Sequence, residues 1–316
     1  MFINLATSNQ HQSMPGILTT RIIVRVFLFS LIPVHLYAQN KSLRFQHYTM
    51  EDGLPQNLVD CILQDSKGFM WFGTWSGLAR FDGYSFKVYR QQTTDYSTIS
   101  NNYIYSLCED YNGNIWIGTN NGIDIYRYNN DVFQHLKKEN SAYKVLAEKT
   151  TAIALSKDSS IWIGTTSGLS HIIINSESSI VSIMTYQFGN GKLNVSGSLI
   201  NHLLEDSKSN LWISSNDGVS ILIKELNEFK FIHSDQPNTI PHNSVKSTFE
   251  DSEGLIWIAT EFGLAKYDPV TDKFTIYSYN DFTYNEYSLP HRYVMSVAED
   301  ARGDILFGTF GGFSVF

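Results

Sequence analysis

The chain has 316 residues, 42% of them hydrophobic and 14% aromatic, which is ample for a large packed core and excludes a disordered chain. Its formal charge of −8 argues against nucleic acid or an anionic membrane surface as a partner. With two cysteines and no CxxC, HExxH or histidine cluster, neither a metal site nor any cofactor is expected.

Residues 1–38 contain no Asp or Glu, carry Arg21 and Arg25, and run through the apolar stretch Val26 to Leu36 into Leu36-Tyr37-Ala38. This is the layout of a cleaved signal peptide. The apolar stretch holds Pro33 and His35 and is well short of the roughly 20 residues of a spanning helix, so export is expected and a membrane anchor is not. The mature protein should begin near Gln39, and Met14 could be the true start. Residues 39–316 are then a single β-propeller domain.

Six copies of one pattern fill that domain. The first is Asp65-x2-Gly68-x2-Trp71-x-Gly73-Thr74-x2-Gly77-Leu78, and the second is Asp110, Gly113, Trp116, Gly118, Thr119, Gly122, Ile123. The third keeps Trp162, Gly164, Thr165 and Gly168 but has Ser156 and Ser159 at its first two positions; the fourth runs from Asp206 through Ser209 and Trp212 to Gly218. The fifth runs from Asp251 to Leu264, and the sixth, from Asp300 to Phe313, has Leu306 in place of Trp. Successive Trp positions are 45, 46, 50, 45 and 49 residues apart, a period of four-stranded propeller blades and not of helical repeats. Within the first copy, Leu58–Leu63, Phe69–Phe72, Leu78–Phe81 and Phe86–Tyr89 are apolar segments separated by turn signals, hence four strands.

The motif has a structural explanation. Asp65 can accept backbone hydrogen bonds while Gly68 supplies a positive φ, closing the first hairpin. Trp71 and Gly73 share one side of their strand, so the indole is expected in the packing between blades, beside the space left by the glycine. Cys61 and Cys108 are expected as buried thiols, a disulfide being the alternative. There is no GxSxG, no P-loop and no GxGxxG after a strand, and the repeated acids sit at turns, so no enzyme is expected. A polysaccharide lyase or glycosidase is the least favoured reading, since a glycosidase needs one unequal carboxylate pair in one cleft.

The run Glu109-Asp110-Tyr111-Asn112-Gly113-Asn114-Ile115-Trp116-Ile117-Gly118-Thr119 resembles the two-component regulator propeller repeat of the periplasmic sensor region of hybrid two-component systems in glycan-using bacteria. The opening Phe45 to Asn57 also resembles the start of those mature sensors. The resemblance implies a periplasmic ligand-sensing module that responds to glycans, with two propellers of about seven blades, and with a β-sandwich, membrane helix, histidine kinase, receiver and DNA-binding module to follow. A homodimer in the full-length sensor is compatible with it. The chain instead stops at Phe316, inside the expected third strand of repeat six. Either the frame is truncated, or Leu43 to Tyr48 supplies the missing outer strand and closes six blades. The alternative function is a free exported propeller acting as a binding or scaffold protein.

The loops leading into the first strands and the turns between second and third strands should share one face of the propeller. The leading loops bring Gln56 and Asn57, Asn102, His242 and Asn243, and His291 and Arg292 to that face, where they either bind ligand or, for the asparagines, cap backbone turns. At the turns, Trp75, Phe262 and Phe310 replace the polar Asn120, Thr166 and Asn216 of other copies. Exposed aromatic tips suit stacking on sugar rings or contact with another propeller or sensor domain, the alternative for Trp75 being ordinary packing between neighbouring blade tips. The opposite face carries Lys67 and Asn112.

Overall fold

The computed structural model describes residues 46–136, 146–189, 194–279 and 289–316. The leader read over residues 1–38, its cleavage after Ala38 and the start at Met14 lie outside the described residues.

The described chain is a β-propeller of six antiparallel blades. In blade one, Val59–Gln64 pairs with Met70–Thr74, that strand with Gly77–Phe81, and that with Phe86–Tyr89. The inner strands of the other blades are Ile104–Glu109, Thr150–Leu155, Ile200–Glu205, Val245–Glu250 and Val294–Glu299. Five blades have four strands and the sixth has three. Its third strand, Gly312–Val315, is extended by paired backbone bonds between Ile305 and Phe316. No fourth strand joins blade six among the described residues, and Tyr48 packs on Phe81 and Phe86 of blade one. The described part of Leu43 to Tyr48 therefore does not close blade six.

The motif aspartate closes the first hairpin as its turn chemistry requires. Asp65 Oδ1 accepts from the backbone of Lys67 at 3.0 Å and of Phe69 at 2.9 Å. Its second oxygen has a further role: Oδ2 accepts from the Trp71 indole at 2.7 Å. The same link joins Asp110 to Trp116, Asp206 to Trp212 and Asp251 to Trp257. Each aspartate thus ties the turn to the blade core. The motif threonine closes the next turn: Thr74 Oγ1 donates to the Gly77 carbonyl and accepts from Ser76 N–H. Gly77 sits at φ +130°, where a Cβ would also run into the Tyr89 carbonyl, so both backbone and space demand glycine.

Trp71, Trp116, Trp162, Trp212 and Trp257 are buried between blades, as expected. Each packs its blade onto the next; Trp71 and Leu78 of blade one meet Ile104, Ile115, Ile117 and Tyr126 of blade two. The glycine two residues on does not make room for the indole. A Cβ on Gly73 would strike Cys61 Sγ and the Ile104 side chain, and one on Gly118 would strike Ser106 Oγ. Glycine there admits the inner-strand side chain opposite it and the first residue of the next blade. Cys61 and Cys108 are free thiols, and burial pushes both up to about 12.

A polar clasp reinforces the apolar interfaces. Ser66 N–H and Oγ donate to the two oxygens of Glu109 on the next blade, at 2.7 and 2.6 Å. Ser207 does the same to Glu250, and Ser252 to Glu299. Blade three reaches Glu205 through Ser156 Oγ. Between blades two and three the positions are held by Tyr111 and Leu155 instead. The faces of blades one and six that no described blade covers leave Ile62 and Val315 exposed.

Candidate functional site

All six inner strands carry a β-bulge at the same step. Pairing with the second strand skips one residue between Val59 and Cys61, between Ile104 and Ser106, and likewise in every other blade. The skipped residues are Asp60, Tyr105, Thr151, Asn201, Lys246 and Met295. A bulged residue is released from the ladder and re-aimed, and all six line one axial cavity of about 810 Å³. They form a collar around its axis. Several are tied to a neighbour: Thr151 Oγ1 donates to the Ile200 carbonyl at 2.5 Å, Asn201 Nδ2 to the Val245 carbonyl at 2.7 Å, and Lys246 pairs with Glu261 at 2.8 Å. That hydrogen bond from Lys246 holds Glu261 below the usual carboxylate range. His202 lines the same cavity, and burial pushes its imidazole down to about 4.

Sequence reasoning missed the collar. The available signal was variation: five residues before each motif position, the six copies hold six different residue types, which is true of no other inner-strand position.

The expected site residues divide into groups. His242, Phe262, His291, Arg292 and Phe310 come together on blades five and six, with Tyr293, which the sequence did not single out. The Arg292 guanidinium lies 4.8 Å from the Phe262 ring centre and 5.2 Å from that of Tyr293. Tyr293, His291 and Phe310 form a triangle of rings, with centres 5.4 Å (Tyr293 to His291), 5.2 Å (Tyr293 to Phe310) and 6.0 Å (His291 to Phe310) apart, and His242 lies 4.8 Å from Phe262. The result is a continuous belt of rings, of which Phe310 is 68% exposed. In both imidazoles Nδ1 accepts a backbone N–H two residues on, from Ser244 and Tyr293, at 3.0 Å. A neutral ring accepting there carries its hydrogen on Nε2, which makes each a donor.

Trp75 stands apart from the belt, on the blade one to two side. It is 44% exposed, lies 6.0 Å from Tyr103, and its indole donates to the collar residue Asp60. Asn102 and Asn243 latch the chain: their Oδ1 atoms accept from Gln91 and Ser234 N–H, while their carbonyls accept from Gly77 and Gly218. Asn57 Oδ1 accepts from Met50 N–H at 2.9 Å, holding the 3-10 turn Met50–Asp52. Gln56 is half-buried beside it, its Oε1 without a hydrogen-bond partner. The asparagines thus spend their oxygens on backbone, and the belt and Trp75 keep open surface. Rings, imidazole N–H groups and a guanidinium suit stacking and hydrogen bonding to a ligand.

Comparison with known proteins agrees with this architecture. The family model described as two component regulator propeller matches residues 53–76, 98–121 and 239–262. Over 75 residues the chain is 45% identical to histidine kinase P4 of Formosa agariphila, a match that covers 24% of this chain and 6% of the kinase. The fold is similar to the extracellular domain described as that of a hybrid two component system of B. thetaiotaomicron, with TM-score 0.62 and 21% identity, over 85% of this chain and 41% of that one. It is also similar to virginiamycin B lyase of Staphylococcus aureus, with TM-score 0.58 and 12% identity, over 81% of this chain and 82% of that one. The chain spans less than half of the kinase and of the hybrid-system domain. Among the described residues no helix is long and apolar enough to cross a membrane.

Proposed function

We propose that this chain, a propeller built of two-component regulator propeller repeats, is the ligand-recognising part of an exported, periplasmic sensor. Its ligand is an oligosaccharide, and its output passes through a histidine kinase in a longer protein. The repeat matches and the histidine kinase similarity support the sensor role. The observation that carries the ligand reading is the belt of His242, Phe262, Arg292, Tyr293, His291 and Phe310, which offers exposed ring faces flanked by fixed hydrogen-bond donors. Such a surface matches the alternation of apolar faces and hydroxyl edges on sugar rings. The chain acts by binding and not by catalysis.

Calorimetric titration against a panel of glycans tests this. Phe310→Ala and His242→Ala should weaken binding at least tenfold with melting temperature unchanged, because both side chains stand at loop tips. Lys67→Ala and Asn112→Ala, at the opposite turns, should leave it unaltered. Binding lost only on the Lys67 and Asn112 side would refute the choice of face. If no glycan binds, a second propeller or sensor domain becomes the partner to test.

A further inference from the structure

The axial cavity is separate from the belt, and its wall has a definite chemistry. The collar presents a phenol at Tyr105, a hydroxyl at Thr151, an amide at Asn201, and one thioether at Met295. Its charges balance in number: Lys246 is paired with Glu261 at 2.8 Å, and Lys149, whose ammonium lies 4.2 Å from the Tyr105 ring centre, is offset by Asp60, which accepts from the Trp75 indole on blade one. Ser106 and Ser247 follow the collar in the wall, with their hydroxyls buried in the blade and out of reach of the cavity, that of Ser106 against Gly118. Beyond these lie the aliphatic side chains of Ile62, Leu107, Ile153, Leu203 and Val297.

We infer that this cavity is a second binding site, which takes one or two rings of a neutral saccharide end-on. A volume of about 810 Å³ falls within the range of small-ligand sites, roughly 300–1,000 Å³. A wall of mixed donors and acceptors without net charge selects hydroxyls over carboxylates or phosphates, and the aliphatic layer accepts the apolar face of a ring. Only the ligand class rests on the saccharide reading above; the site is defined by the bulges. Because the collar residues stand outside ladder pairing, they determine specificity at little cost to the fold.

The test is calorimetry on the whole chain with neutral hexoses, their disaccharides and longer oligomers, and galacturonic acid as the anionic comparison. Met295→Trp fills the collar from an exposed position that no ladder bond uses; Tyr105→Phe removes one hydroxyl. Met295→Trp should weaken mono- and disaccharide binding more than tenfold, Tyr105→Phe should weaken it severalfold, and circular dichroism and melting temperature should be unchanged for both. Phe310→Ala should affect only the longer oligomers. If Phe310→Ala removes all binding and Met295→Trp none, the axial site is refuted and the belt stands. If Met295→Trp removes all binding and Phe310→Ala affects no oligomer, the belt is refuted and the axial site stands. Preference for galacturonic acid would overturn the neutral assignment, and a panel in which nothing binds would overturn both readings.

Discussion

The tie between motif aspartate and indole can be weighed because one motif tryptophan lacks it. Trp162 has Ser156 where the others have aspartate, and its buried Nε1 has no partner; it stacks instead on His171 at 4.0 Å. Trp116→Phe removes a hydrogen bond to a carboxylate, worth about 1.5–3 kcal/mol, whereas Trp162→Phe removes a donor already stranded. Denaturant titration should therefore find the first variant less stable than the second by at least about 1 kcal/mol. Equal losses would mean that the indole bond contributes nothing. The link also sets an acid response. Burial pushes the Asp110 carboxyl up, but hydrogen bonds from Ser178, Trp116 and Asn114 outweigh it and hold the group below its usual range. A lowered folded pKa gives stability that is complete above the unfolded value, about 3.9, and is lost as pH falls through the folded one. Trp116→Phe should raise the pH midpoint of acid unfolding. His202 acts at a different pH. Its folded value of about 4 lies under the ordinary 6.5, so stability declines as pH falls from about 6.5 toward 4, and His202→Gln should flatten the unfolding curve in that interval.

At the scale of the strand and turn, the period, the hairpin signals and the packing role of tryptophan were legible, because they follow from local turn chemistry and from side-chain alternation. The bulge was not. It inserts a residue without altering the apolar pattern around it, so Val59, Asp60 and Cys61 read as ordinary strand. The purpose of Gly73 was misread for a related reason: what fills the space is Cys61 across the strand pair and Ile104 of the next blade, a partner 31 residues away that only the assembled interface supplies. The serine clasp also spans two blades. Its value is measurable by a double-mutant cycle on Ser207→Ala and Glu250→Gln, where a coupling of about 0.5–1 kcal/mol is expected for a partly exposed pair. A coupling of zero would make the contact ornamental. Tyr111→Ser should gain no stability by itself, since Leu155 offers it no acceptor.

For the whole molecule, a repeat array in which each unit touches only its neighbours has a stability that varies along its length. Inner strands of blades four and five are packed on both sides, whereas blades one and six each leave a face exposed at Ile62 and Val315. Amide hydrogen exchange should be fastest in Val59–Gln64 and Val294–Glu299 and slowest in Ile200–Glu205 and Val245–Glu250. Uniform protection would indicate a single cooperative unit. The candidate site was legible in part for the same architectural reason. His242, His291, Arg292, Phe262 and Phe310 could be assigned to one face from strand direction, but their merger with Tyr293 into a belt depends on how blades five and six meet. The clasp between blades also has a handedness, the serine always lying on the earlier blade and the carboxylate on the later. An in-frame duplication of one such repeat delivers a unit with both halves of the fitting, able to seat beside its parent without inventing a contact. A copy inserted between Tyr111 and Leu155 would meet a foreign coupling on each side. Growth of this array by gene duplication thus keeps the clasp at most of its junctions and forgoes it at that one.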